Sequence, residues 1–332
     1  MKMRLIVTVG SLLCLALGLA FPWSKTPIIV GLCYALAALG VSIMVRAGQV
    51  SFGHALYACV SGYAVAFIAR AWPQIDGVVL LVAGTLAGTL AGAIVGLFVG
   101  RYRGIFFGML NLAISMVVYS MLGKFYGLTG GTDGLRINRP TLFGVSFERS
   151  GFETSLLILT LLLSIAIGWA VQRLFASGTG EALAGVKTNE TRLEYLGLSA
   201  RRVLWHGYVV SAALVGLSGA LFAMVQGLVT PDLGSWLRSG EFVFITILGG
   251  ANHAIGAFLG AIVFEAVKLF AAAYMTGVWQ LLLGLTLIFV ILVAPMGIVG
   301  LMQKRAAPAA EGATEAGGRK EGRWNRWFAR KA

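Results

Sequence analysis

The chain has 332 residues, 58% of them hydrophobic and only 12% charged, with a mean hydropathy of +0.86. Soluble domains carry roughly 25% charged residues, so a soluble globular fold is excluded and an all-α, polytopic membrane helix bundle is implied. The net charge of +13 does not call for a nucleic-acid partner, because the basic residues gather in short loops and at the C-terminus, as they do on cytoplasmic faces.

Lys2 and Arg4 precede an apolar run at 5–21, read as an uncleaved first span; the alternative is a signal peptide with Gly18-x-Ala20 as a weak cleavage site. Apolar runs follow at 28–45, 55–69, 78–99, 105–122, 154–172, 203–228, 254–273 and 278–301, with a shorter piece at 242–250. Basic residues at both ends place both termini in the cytoplasm, which requires an even count. Trp236–Gly250 therefore crosses as a short or broken helix, and the total is about ten transmembrane helices. The same parity puts Arg46, Arg101, Arg103 and the loop at 173–202 inside, and the segment at 124–153 outside. A permease domain at 1–303 is followed by a basic disordered tail at 304–332, whose tip with Trp324, Trp327 and Phe328 suits anionic membrane lipid.

Two polar, glycine-containing stretches interrupt the apolar runs. Non-helical backbone at membrane depth is tolerated only where protein buries it or water reaches it. The stretch 46–54 joins two spans closely, so Gln49, Ser51 and His54 are candidates for a translocation path, together with Asn111. The stretch 128–135 lies outside, where Thr129, Gly130 and Asp133 form a candidate external gate. As bare patterns both stretches also suit ordinary turns. In the fourth span Gly84, Gly88, Gly92 and Gly96 recur every fourth residue on one helix face, a groove for close helix packing without chemistry of its own.

The polar loop at 173–202 separates two long apolar runs. Thr191-x-x-Glu194 fits a capping box, Glu190 and Glu194 lie one turn apart, and Leu193 and Leu196 share the other side. This pattern predicts a helix near Asn189–Leu196, stopped by Gly197, with Ser199 capping the next helix. So short a helix needs a docking partner; the bland alternative is a solvated loop helix. Within the spans, Glu265 and Lys268 stand three residues apart and are read as a structural pair near a membrane boundary. The three cysteines, Cys14, Cys33 and Cys59, lack metal-ligand or disulfide spacing. No phosphate-binding loop and no catalytic constellation occurs, so no enzyme activity, cofactor or metal is expected.

Several pieces together resemble the permease subunits of branched-chain amino acid ABC importers, the LivH/LivM family, and LivM more than LivH. They are Gly48-Gln-Val-Ser-Phe-Gly-His54, Arg103-Gly-Ile-Phe-Phe, Leu128-Thr-Gly-Gly-Thr-Asp-Gly134, Lys187-Thr-Asn-Glu-Thr-Arg-Leu-Glu-Tyr-Leu-Gly197, Ser211-Ala-Ala-Leu-Val-Gly-Leu-Ser-Gly-Ala220 and Leu248-Gly-Gly followed by Gly256. The resemblance implies a type II importer-like fold in the bacterial inner membrane. It also implies a LivH-like second permease, two cytoplasmic ATPase subunits that hydrolyse the ATP, and a periplasmic substrate-binding protein. The loop at 173–202 would then be the ATPase-coupling loop, carried by Glu190, Arg192, Glu194, Leu196 and Gly197. Thr191-Arg192 and Tyr195-Leu196 replace the family's Ala-Ala pair there. Related permeases also serve urea, short amides and organic acids, and a stand-alone secondary transporter is the competing class.

Overall fold

The computed structural model describes residues 2–274, 279–293 and 297–300. The tail at 304–332 and residues 278, 294–296 and 301 of the run at 278–301 lie outside the described residues. Every apolar run named above contains a helix: α1 (Lys2–Ala20), α2 (Lys25–Arg46), α3 (Ala55–Ala71), α4 (Gly77–Val99) and α5 (Gly104–Lys124). After the four-residue turn α6 (Tyr126–Thr129) come α7 (Arg149–Phe175), α8 (Gly178–Thr188), α9 (Glu190–Tyr195) and α10 (Ala200–Gln226). The described part closes with α11 (Trp236–Gly249), α12 (Ala254–Tyr274) and α13 (Trp279–Val293). Among the described residues six helices are long and apolar enough to cross a membrane; Gly10–Ala20 within α1, Ala55–Ala71 (α3) and Gln280–Val290 within α13 are shorter apolar helices.

The reason α3 is short lies just before it. Residues 47–54 are non-helical, opening on a turn at Ala47–Gly48 with Gly48 at φ +74°, and their burial alternates: Ala47, Gln49, Ser51 and Gly53 are buried, while Gly48, Val50 and Phe52 face outward. This alternation turns the polar Gln49 and Ser51 into the protein. The stretch runs beside the first two turns of α5, with Gln49 at Gly104 and Gly53 at Asn111. That contact spans roughly 10 Å of helix. The non-helical backbone of 47–54 is thus packed against α5, with alternate residues buried in protein.

Helices α2 and α10 form the centre, with 78% and 67% of their apolar windows buried, against 17% for α5. Helix α10 packs on α4, α2 and α3, and small residues set how close it comes. A Cβ added at Gly84 would lie 2.7 Å from Val65 Cγ2, and one at Gly88 would lie 2.9 Å from the Cα of Gly216. At Gly92 it would collide with Ala212 Cβ, and at Gly96 it would stand 2.7 Å from Tyr208 Cδ1. The glycine face of α4 is therefore filled by α3 and α10 themselves. Ser211 and Ser218 donate from α10 to the Gly40 and Cys33 carbonyls of α2, at 2.7 and 2.6 Å.

At the opposite end from α8 and α9, Asp76 caps α4, accepting from Val78 N at 2.8 Å and from Gly144 N at 2.7 Å. Here the all-α reading needs one addition. Leu135–Arg136 (β1) pairs antiparallel with Leu228–Val229 (β2). Two residues per strand gave no alternating pattern to find, and the pairing joins segments far apart in the chain.

Candidate functional site

Three polar regions stand out from this apolar body. The first is the loop between α7 and α10, which folds into two helices where the sequence suggested one. Helix α8 went unread because Gly178, Gly180 and Gly185 dilute its helical signal. Ser177 opens it by accepting from Gly180 N at 3.4 Å. Helix α9 then spans Glu190–Tyr195, but its cap is not the Thr191-x-x-Glu194 box. Asn189, extended at φ −163°, accepts from Arg192 N at 3.0 Å, so a polar side chain two residues earlier does the capping. At the other end Gly197 sits at φ +80°, its N–H bonding Glu194 O (2.9 Å) while Leu198 N bonds Leu193 O (3.1 Å). This is a Schellman closure, which a Cβ at Gly197 would strain. Ser199 holds the N-cap position of α10 without a side-chain capping bond.

Nor do Leu193 and Leu196 form one apolar stripe. Leu193 is buried, whereas Tyr195 and Leu196 are 88% and 72% exposed. The helix buries one leucine and presents an apolar tip beside the exposed Arg192 and Glu194. Glu190 turns back to the bundle, where Arg103 Nε donates to its Oε1 at 2.6 Å. Arg46 holds the start of α8, donating to the Gly180 and Phe175 carbonyls at 3.1 and 3.2 Å. Arg46, Arg103, α8 and α9 therefore share one end of the bundle.

The second region begins next to Arg103. The Gly104 N–H donates to Gln49 Oε1 at 2.8 Å, so one turn of chain is gripped by α9 on one residue and by the stretch at 47–54 on the next. Ser51 Oγ accepts from Gly53 N at 3.3 Å, and Ser239 Oγ of α11 accepts from Ala55 N at 2.9 Å. A Cβ at Gly53 would run into the Asn111 carbonyl. Asn111 is buried, donating to Phe107 O at 2.8 Å and accepting from the Tyr208 hydroxyl, which also bonds that of Tyr57. His54 is wholly enclosed, edge-on to Tyr57 and Tyr208, and neither ring nitrogen has a hydrogen-bond partner among the described residues. The sequence reading placed Gln49, Ser51, His54 and Asn111 together; it missed Tyr57 and Tyr208, which look like ordinary aromatic core residues in a chain.

The third region was not foreseen as a cluster. Arg238 and Glu241 pair on α11 at 2.9 Å. Tyr34 of α2 donates to Glu241 Oε2 at 3.0 Å and is contacted by Arg238, and Lys268 of α12 donates to Tyr34 Oη at 3.0 Å. Glu265 Oε2 is buried without a hydrogen-bond partner among the described residues. The signal was available in part, as charges three residues apart on two apolar helices.

In the remaining segment, Thr129 is buried and donates to the Leu122 and Phe125 carbonyls at 2.6 and 2.8 Å. Gly130 adopts φ +72° and ends α6, while Asp133 is exposed and accepts from Tyr126 Oη at 2.9 Å. Among the described residues no group of three His, Cys, Asp or Glu is placed to hold a metal ion.

Comparison with known proteins places this arrangement. Residues 25–291 match the family model described as branched-chain amino acid transport system / permease component. The chain is 27% identical to the high-affinity branched-chain amino acid transport system permease protein LivM of Escherichia coli (strain K12), over 69% of this chain and 59% of that protein. It is 29% identical to LivM of Salmonella typhimurium, over 46% and 41%. It is 23% identical to the probable branched-chain amino acid transport permease protein LivH of Methanocaldococcus jannaschii, over 81% and 89%. The match thus spans about half the length of the two LivM relatives and most of that LivH protein. No solved structure matches the chain. With the family model covering the bundle from α2 into α13, the chain belongs to the family of branched-chain amino acid transport system permease components and is a multi-pass membrane protein.

Proposed function

We propose that the chain is one of two permease halves of an ATP-driven importer in a bacterial inner membrane, moving branched-chain amino acids or a similar small polar solute. Its partners in this reading are a LivH-like second permease, two cytoplasmic ATPase subunits and a periplasmic binding protein. Both termini and the α8–α9 loop face the cytoplasm in this reading. The exposed tip of α9, with Arg192, Glu194 and Leu196, sits in a groove of an ATPase subunit.

The observation that supports this most is the linkage from α9 inward. Glu190 holds Arg103, and the neighbouring Gly104 holds Gln49 of the stretch at 47–54. A rigid-body shift of α9 with its ATPase seat is therefore passed to Gln49, Ser51, His54 and Asn111, the proposed path, by directional bonds rather than by loose packing. Such a device needs two global arrangements and differential contacts in each, not catalytic groups. Thr129, Gly130 and Asp133 are the proposed gate at the other end.

Replacing Gly197 by Val tests the seat. A β-branched residue at φ +80° costs roughly 1–2 kcal/mol locally, enough to distort the closure without unfolding the body. ATP hydrolysis by the purified complex should persist while uptake falls; unchanged uptake removes α9 from the coupling path. The buried charges around Tyr34 favour one other reading, an ion-coupled carrier that works alone. Uphill uptake into liposomes holding this polypeptide alone, on an ion gradient, would establish that reading and end the first.

A further inference from the structure

The sharpest conflict between a residue and its backbone lies at the end of the bundle opposite α8 and α9. Leu142 N bonds Val145 O at 3.0 Å and Val145 N bonds Leu142 O at 3.1 Å, which closes a tight hairpin turn. Phe143 and Gly144 form its tip at φ +53° and +76°. Positive φ at both positions is the type I′ turn, which Asn-Gly, Asp-Gly or Gly-Gly adopts readily. A bulky residue there is an outlier, and among the described residues Phe143 is the only non-glycine with positive φ. Its ring is 74% exposed, so packing inside the chain offsets little of that strain. We propose that this turn is a membrane anchor: Phe143, together with Trp72, seats in the boundary between the headgroups and the acyl chains of the bilayer. The inference does not depend on which solute the chain carries.

The turn is held where a membrane span begins. Gly77 N donates to Thr141 O at 2.7 Å and Gly144 N donates to Asp76 Oδ2 at 2.7 Å, so the hairpin is fixed on the N-terminus of α4. Leu142 is buried, and a Cβ added at Gly77 would lie 2.8 Å from its Cδ2. The base is therefore packed and the tip projects. From there α4 exposes Val79, Val82, Leu86 and Leu90 at helical spacing, the kind of face that acyl chains cover. Trp72 follows the end of α3, shortly before Asp76, and is 63% exposed. Tryptophan gathers at membrane boundaries because its ring is apolar and its N–H is polar.

Charge fits the same occupant. Arg70, in the last turn of α3, and Arg139, beside the Pro140 that packs on Gly77, are both exposed. Neither takes part in an ion pair among the described residues. A guanidinium binds a phosphate with two parallel N–H bonds. Aromatic rings flanked by such arginines match a phospholipid, which is apolar within and carries phosphate at its head. The strained turn suits this role as well. A ring already fixed in place loses little freedom when lipid closes over it, whereas a flexible loop would have to be ordered first.

The test follows a fluorescent thiol label at the tip of the turn, in the full chain with its partner subunits, in nanodiscs of phosphatidylcholine and phosphatidylglycerol. Cys33 and Cys59 are buried, and Cys14→Ser leaves Phe143→Cys as the labelled position. Asn138→Cys, at an exposed position of the same segment, is the aqueous reference. Phospholipid with a nitroxide just below the headgroup should quench the label at 143. Iodide should quench it about tenfold less than the label at 138, the preference expected from burying an aromatic side chain. Equal quenching by iodide at the two positions would overturn the anchor. So would a label shielded from iodide that nitroxide lipid does not quench, because a protein then covers the tip. A second variant, with p-benzoylphenylalanine in place of Phe143, keeps an aromatic ring there. On irradiation in native membranes it should cross-link to phospholipid, and a cross-link to another subunit instead would remove the proposal. Each of these failures leaves the importer reading intact.

Discussion

Two regions of this bundle hold together by opposite means. Along the seam of α4 with α3 and α10, glycines bring backbones together, and the contact between Gly88 and Gly216 uses no side chain at all. At the junction of α9, the α4–α5 turn and residues 47–54, the contacts are directional: Arg103 to Glu190 at 2.6 Å, Gly104 to Gln49 at 2.8 Å. A seam made of shape tolerates no added volume and cannot be adjusted in small steps. A junction made of a few polar contacts can be remade in a second arrangement, which is what a moving part requires. The difference predicts that damage to the seam appears as loss of protein, and damage to the junction as loss of coupling.

The largest effect belongs to Gly92→Leu. Removing a glycine from a helix interior gains roughly 1 kcal/mol of helix propensity. Against this, the new Cβ already collides with Ala212, and the rest of the side chain has no space between α4 and α10. Overpacking of this kind costs ~3 kcal/mol or more, because a backbone and not a flexible side chain must yield. Membrane levels of the variant should drop severalfold in a quantitative blot. Normal levels with normal uptake would mean that the seam is looser than its geometry says.

Arg103→Ala comes next and separates the two regions more sharply. Both partners of the ion pair are partly exposed, 28% and 35%, so its loss should cost no more than ~1 kcal/mol of stability. Protein levels should hold. Uptake per ATP hydrolysed should fall, since Glu190 no longer grips the α4–α5 turn. Adding Glu190→Ala should then change the ratio little further, as a double-mutant cycle on one linkage requires. Independent, additive losses from the two substitutions would show that the pair is not the link.

The seam is visible in the sequence, because a four-residue glycine period is a local pattern and needs no knowledge of the partner helix. The same holds for α9 and its stop at Gly197, where capping chemistry acts over a few residues. Locality has limits even there: Asn189 and Thr191 offer the same kind of oxygen, and only the extended backbone at Asn189 decides which one caps. What the sequence could not show is which side chains meet across the bundle. Tyr34 and Lys268 lie 234 positions apart, and Asn111 and Tyr208 lie 97 apart. Each reads alone as a core aromatic or a stray polar residue. Short α3 was legible as a short apolar run, but the packing of the non-helical stretch before it against α5 was legible only as a break.

The smallest expected change in stability comes from His54→Phe, which probes the inner end of the junction. The imidazole is fully enclosed, and both of its nitrogens lack hydrogen-bond partners among the described residues. An unsatisfied buried polar group costs ~1–3 kcal/mol, which the phenyl ring removes. The ring also keeps the edge-on contacts to Tyr57 and Tyr208, at centroid distances of 5.6 and 5.2 Å. The added carbon must be fitted into a packed site, at a cost of ~1 kcal/mol. These contributions nearly cancel, so the melting temperature of the purified protein should hold or rise by a few degrees. Leucine uptake should nevertheless fall, because a path residue serves the solute in an arrangement where the imidazole nitrogens are reached. A lower melting temperature would mean that the nitrogens are satisfied in the resting protein. A retained melting temperature with full uptake would make His54 a filler of the core and take it off the path.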